Sequence, residues 1–108
     1  MKIISENRKA WHDYEILEKM EAGVVLTGSE VKSIRAGAIN LKDSYVVFRG
    51  DEVFLQNAHI SVYQQASYNN HEPERARKLL LNRSEIHKLA GKIFEKGLSC
   101  VPLKMYFK

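Results

Sequence analysis

A chain of 108 residues, 44% of them hydrophobic, is sized to close one core, so a single domain over 1–108 is expected. Its one cysteine, Cys100, excludes an internal disulfide, no CxxC or paired His/Cys spacing offers a metal site, and no run of about 18 apolar residues could span a membrane. The formal net charge of +4 divides unevenly: residues 1–74 hold 8 Lys/Arg against 11 Asp/Glu and residues 75–108 hold 9 against 2, which suits either a basic face for a polyanion or a lysine-rich helix that is merely solvated.

From Asp13 to Leu26 the residues suit two short strands reversing at Glu21-Ala22-Gly23, where glycine admits a positive φ. Thr27-Gly28-Ser29-Glu30 has the spacing of a capping box, in which hydroxyl and carboxylate each accept a backbone N–H that a helix start leaves unpaired. The short helix it opens buries Val31 and Ile34, turns Lys32 and Arg35 outward and stops at Gly37. Ser44–Phe48 and Glu52–Ala58 are β-rich runs around Arg49-Gly50-Asp51, a second hairpin. With Val46 and Phe48 inward, the period of two sends Tyr45 and Val47 to the opposite face.

Ser61–Glu74 is polar and without period, a long loop. In Ser84–Lys96, Ile86, Leu89, Ala90, Ile93 and Phe94 recur at helical spacing, leaving His87, Lys88, Lys92, Glu95 and Lys96 outward. Asn82 with Glu85, or Ser84 alone, can cap its start, and Gly97 suits its left-handed stop. Leu98–Phe107 alternates, so that Val101, Leu103, Met105 and Phe107 line one face of a last strand, whose next neighbour is expected to be missing after Lys108. Short strands with two or three helices in this order make the fold mainly β with flanking α, an antiparallel barrel similar to oligonucleotide-binding (OB) barrels.

Little of this looks like an enzyme. Gly23 and Gly28 belong to no GxGxxG or Gly-Lys-Ser/Thr pattern, the serines have no GxSxG context, and Cys100 reads as a small apolar filler. None of His12, His59, His71 and His87 has a His or Cys at i+3 or i+4, so no metal or other cofactor is expected. His59 reads as a packed strand residue and His87 as solvated, whereas His12 and His71 fall where a ligand could be reached. With no signal peptide in Met1–Lys9, a cytoplasmic location is expected.

The positive signal is Asn70-His71-Glu72-Pro73-Glu74-Arg75-Ala76-Arg77-Lys78-Leu79-Leu80-Leu81, because arginine forks match phosphate oxygens and also stack on bases. Extended from Arg75, this stretch puts Arg75, Arg77, Leu79 and Leu81 on one side and Lys78 with Leu80 on the other, leaving a leucine free for contact. A strand start trimmed with charge against edge pairing would explain the same composition.

Asn7-Arg8-Lys9-Ala10, His12-Asp13-Tyr14, Glu21-Ala22-Gly23, the run Gly28–Gly37 and Asn40–Tyr45 resemble the successive blocks of the small protein B family. His59-Ile60, Asn70–Pro73, Arg75–Leu81 and Val101-Pro102-Leu103 continue the resemblance over nearly the whole chain, with Ser29 where threonine is more usual and Glu72 where aspartate is. The resemblance implies a non-enzymatic, OB-like barrel that binds the tRNA-like domain of transfer-messenger RNA and positions it in the decoding site of a stalled ribosome. Alanyl-tRNA synthetase and elongation factor Tu would be met indirectly, through the RNA. By similarity Asn7, Glu21 and Leu80 fall at RNA-contact positions, with His12, Lys32, Arg35, Tyr45, Asn70, His71, Arg75, Arg77 and Lys78 as neighbours. For Glu21, capping of turn amides is an equal alternative. Set against the family, the chain ends before a last strand and a basic tail, and is expected to be truncated.

Overall fold

A computed structural model describes residues 1–62 and 70–108. The order of elements is β1 (Lys2–Glu6), α1 (Arg8–Asp13), β2 (Gly23–Val24), α2 (Gly28–Arg35), β3 (Ile39–Asn40), β4 (Tyr45–Arg49), β5 (Glu52–Gln56), β6 (His59–Ile60), β7 (Arg77–Leu80), α3 (Arg83–Lys96) and β8 (Lys104–Phe107). All strand pairs are antiparallel. They form a four-stranded sheet in the order β2-β7-β5-β4 and two ribbons, β1-β8 and β3-β6. Among the described residues the antiparallel architecture with three helices stands, and the pairings do not join the three sheets into one closed ring.

Local chemistry explains most boundaries. Both capping boxes form: Thr27 and Glu30 open α2, and Asn82 and Glu85 open α3. Gly97 ends α3 in the left-handed region at φ 60°, a conformation that costs a residue with a Cβ. The β4–β5 hairpin reverses at Gly50-Asp51 between the paired Arg49 and Glu52, as its turn chemistry predicts.

The inner face of the large sheet makes the core. Leu41, Leu55 and Ala58 are its buried centre, with Ile39, Val46, Leu79 and Met105 packed around them. Val53, Ile60 and Ile34 are also removed from solvent, each contributing about 1.5 to 3 kcal/mol through the apolar area it buries.

Three expectations fail here. The 13–26 hairpin does not form: residues 14–22 have no regular structure, Gly23 has no positive φ, and Gly23–Val24 pairs with the chain-distant Leu79–Leu80. Phe94 does not join the buried stripe of α3 but is 90% exposed; Ile86 is the helix's buried residue. The last strand is shorter than the alternation suggested, since Leu98–Leu103 lies outside any strand. Three short elements, β1, α1 and β3, have no counterpart in the sequence expectations. Most of the Ser61–Glu74 loop, residues 63–69, lies outside the described residues. No described helix is long and apolar enough to cross a membrane.

Candidate nucleic-acid interface

The site is built on a buried ion network. Glu30, fully enclosed at the start of α2, accepts from Arg77 Nε at 2.6 Å and from Arg75 Nε at 3.0 Å and Nη2 at 2.5 Å. It also accepts from the Thr27 backbone N–H at 2.8 Å, so the capping carboxylate doubles as the counter-ion of two arginines. Burial by itself would raise the carboxyl's pKa; the hydrogen bonds from Arg75, Thr27 and Arg77 overcome this and hold it at about 2. Arg77, 0% exposed, completes its coordination with the carbonyls of Ala58 at 2.6 Å and Pro73 at 2.9 Å. The pair of arginines thereby fastens β7 to the start of α2 and to the end of the 61–74 segment.

On the other side of β7 the chain offers contact. Lys78 and Leu80 alternate with the enclosed Arg77 and the packed Leu79, and Leu80 is 56% exposed despite its place within a strand. Gly23 pairs with Leu80 in register, and a Cβ at Gly23 would come within 3.2 Å of the Leu80 side chain. Glycine therefore leaves room for the leucine on the paired strand. The ladder continues one step, Val25 N–H donating to Lys78 O at 2.9 Å, so Val25 shares the parity of Gly23 and stands exposed beside Lys78. Across β7, Lys78 pairs with Phe54, and the register carries the same face on to Tyr45 opposite Gln56. Glu21, just ahead of β2, is exposed and meets Lys108 Nζ at 2.7 Å.

The sequence-selected residues do not all gather in one place. Glu21, Lys78 and Leu80 gather on the β2–β7 side, with Arg75 beside Val25, whose carbonyl lies 3.5 Å from Arg75 Nη2. Tyr45 is exposed further along the same sheet face. Lys32 and Arg35 are exposed on α2, Arg35 lying over the Phe107 ring at 5.9 Å. His12 projects from the end of α1 against Asp13 at 3.0 Å, and Asn70 is half-buried.

Three of the residues selected for RNA contact are buried. Asn7 is only 5% exposed; its Oδ1 accepts from Ala10 N–H to cap α1, and its Nδ2 donates to Leu41 O and Pro102 O. Both Nδ2 donors and one Oδ1 lone pair are thereby used, and Asn7 joins α1 to the core. His71 is buried, bonded through Nδ1 to Ser29 Oγ at 2.9 Å and through Nε2 to Ile60 O at 2.8 Å. Arg77 is sealed by the contacts already given. His59, expected to pack, is instead exposed beside Glu74 at 3.7 Å. Cys100 is half-buried, and burial pushes its thiol pKa up, which suits the filler role.

Two contributors escaped the sequence reading. Glu30 was assigned to capping alone, and the N3 position gave no sign that two arginines 45 and 47 residues away would converge on it. Val25 could have been found from the alternation Gly23, Val25 against Val24 once the β2–β7 pairing was known. The charge asymmetry of the sequence is also largely consumed by folding. Of the nine Lys/Arg after residue 74, six pair with acids from the first 74: Arg75 and Arg77 with Glu30, Lys78 with Glu52, Arg83 with Asp51, Lys92 with Glu18 and Lys108 with Glu21.

Comparison with known proteins bears on this surface. The family model described as SmpB protein matches residues 4–108. The SsrA-binding protein of Syntrophobacter fumaroxidans is 63% identical over 106 residues, covering 98% of this chain and 66% of that protein. That of Carboxydothermus hydrogenoformans is 60% identical over 107 residues, covering 99% and 72%. The fold is similar, with a TM-score of 0.78 and 51% identity, to a chain in the solved structure "tmRNA-SmpB: a journey to the center of the bacterial ribosome", covering 96% of this chain and 73% of that one. The chain thus spans about two thirds to three quarters of the length of these proteins. With the family model matched over residues 4–108 and the same fold found in a tmRNA–SmpB structure, this chain belongs to the SmpB protein family.

Proposed function

We propose that this chain binds the tRNA-like domain of transfer-messenger RNA (SsrA RNA) and serves in the cytoplasm in the rescue of stalled ribosomes, as a binding protein with no catalytic step and no cofactor. The observation that carries the reading is an apolar and cationic surface, Val25, Lys78 and Leu80, held open on the β2–β7 ladder of a chain from the SsrA-binding family. Leucine and valine can cover the apolar face of an unpaired base or sugar, and Lys78 can meet the phosphate that follows. Glu21 can accept from a base edge by exchanging its solvent-exposed pair with Lys108, which costs little. Tyr45 offers a ring for stacking, and Lys32, Arg35 and His12 supply outlying polar contacts. The two ribbons and the four-stranded sheet around one core support reading the scaffold as an OB-like barrel. Partners beyond the RNA are the ribosomal decoding site and, through the RNA, alanyl-tRNA synthetase and elongation factor Tu.

A competition gel shift tests the reading. The tRNA-like domain should displace a labelled copy of itself far better than single-stranded RNA of equal length. Leu80→Asp should weaken binding about tenfold or more with the melting temperature unchanged, since the side chain is largely exposed. Equal competition by the two RNAs would reduce the chain to a generic single-strand binder. An absence of RNA binding would favour a protein-interaction domain for an acidic partner.

A further inference from the structure

Arg75 is held as a phosphate-seeking arginine is not. Its Nε and Nη2 both donate to Glu30, Nη1 donates to Ala76 O at 3.2 Å, and Val25 O lies 3.5 Å from Nη2. Four of the five guanidinium N–H donors, with at least one on each nitrogen, thus face protein acceptors, yet 32% of the side chain remains accessible. An arginine that binds phosphate turns that edge to the oxygens in a fork. One whose edge is engaged offers its flat faces, which stack on aromatic rings and bases. The plane is also hard to swing: Glu30 is enclosed and tied to Arg77 and to Thr27, so releasing Arg75 would break into a buried pair. Glu30 itself touches no solvent and can act only through the arginine.

We infer that Glu30 is a positioning residue that locks the Arg75 guanidinium as a flat platform on which an unpaired RNA base stacks beside Val25, while the phosphate charge is met by Lys78. The inference rests on the RNA-binding reading above. It assigns the specificity of this corner to shape and stacking, and it makes arginine irreplaceable by lysine, which has the charge and lacks the plane.

The test uses the tRNA-like domain of transfer-messenger RNA as probe and measures affinity across a salt series for the wild type and Arg75→Lys. The platform predicts about a tenfold loss of affinity for Arg75→Lys with the slope of log affinity against log salt unchanged, because base stacking is not paid in counter-ions. Unchanged affinity overturns the inference, as does a loss accompanied by a slope shallower by about 0.7, the signature of a forfeited phosphate contact. Should the variant fold poorly, the Arg75 Nε–H resonance of the wild type decides. A signal that stays hydrogen-bonded on RNA addition and moves upfield under a base ring current supports the platform; a signal that loses its Glu30 partner refutes it. A wild type that fails to bind this RNA defeats the function reading itself, whereas binding by both proteins alike defeats only the platform.

Discussion

Glu30 has the most at stake among single residues. Its folded pKa of about 2 lies below the ordinary 4.5, so its contribution to stability is fully present above pH 4.5 and is lost as pH falls through 2. The displacement corresponds to about 2 to 3 kcal/mol at neutral pH, after allowing for solvent screening at the part-exposed Arg75. Glu30→Gln should remove that acid-sensitive component and, by leaving two guanidinium groups without their buried partner, lower stability at pH 7 by about 3 to 5 kcal/mol. Urea denaturation of both proteins from pH 7 to pH 2 reads the two effects. Profiles that overlay would mean that the carboxylate carries no such load. The sequence displayed Glu30 as a cap and nothing more, because a capping box is local, whereas both arginines arrive from across the fold.

At the scale of elements, the legible features are those closed by short-range hydrogen bonds. The two capping boxes, the Gly50-Asp51 reversal and the Gly97 stop each depend on residues a few positions apart, and each forms as read. Gly97→Ala should therefore cost about 1 kcal/mol in thermal or chemical denaturation, the penalty of a Cβ at φ 60°. The 13–26 hairpin failed for a physical reason. Tyr14, Leu17 and Met20 recur every third residue and all are exposed, so no period-two face exists to hold two strands together. Asn7 shows the reverse case, a residue whose bonds join elements distant in the chain. Asn7→Ala removes the α1 cap and two long-range bonds to Leu41 O and Pro102 O, and should cost about 2 to 3 kcal/mol. A denaturation midpoint equal to that of the wild type would contradict this role.

For the molecule as a whole, folding pairs six cations of the basic last third with acids of the remainder, so the charge separation seen in sequence is reduced in space while the net charge of +4 stays. The long-range attraction expected from it is modest. Affinity for the tRNA-like domain should fall with salt at a log–log slope of only about −1.4 to −2.1, two to three phosphate contacts at roughly 0.7 each. A slope steeper than about −4, measured by titration across a salt series, would restore a broad electrostatic face.

By itself, the sequence determined the helices α2 and α3, the β4–β5 hairpin, the placing of Leu80 on the opposite side from Leu79 and Leu81, and the family, through local hydrogen bonding, period-two alternation and ordered blocks of residues. Tertiary structure alone decided that Asn7, His71 and Arg77 turn inward while Val25 joins Lys78 and Leu80. It also decided that Glu30 serves two distant arginines. The reason is that β2 and β7 lie more than fifty residues apart in the chain, and only their pairing assigns each side chain to the core or to the surface.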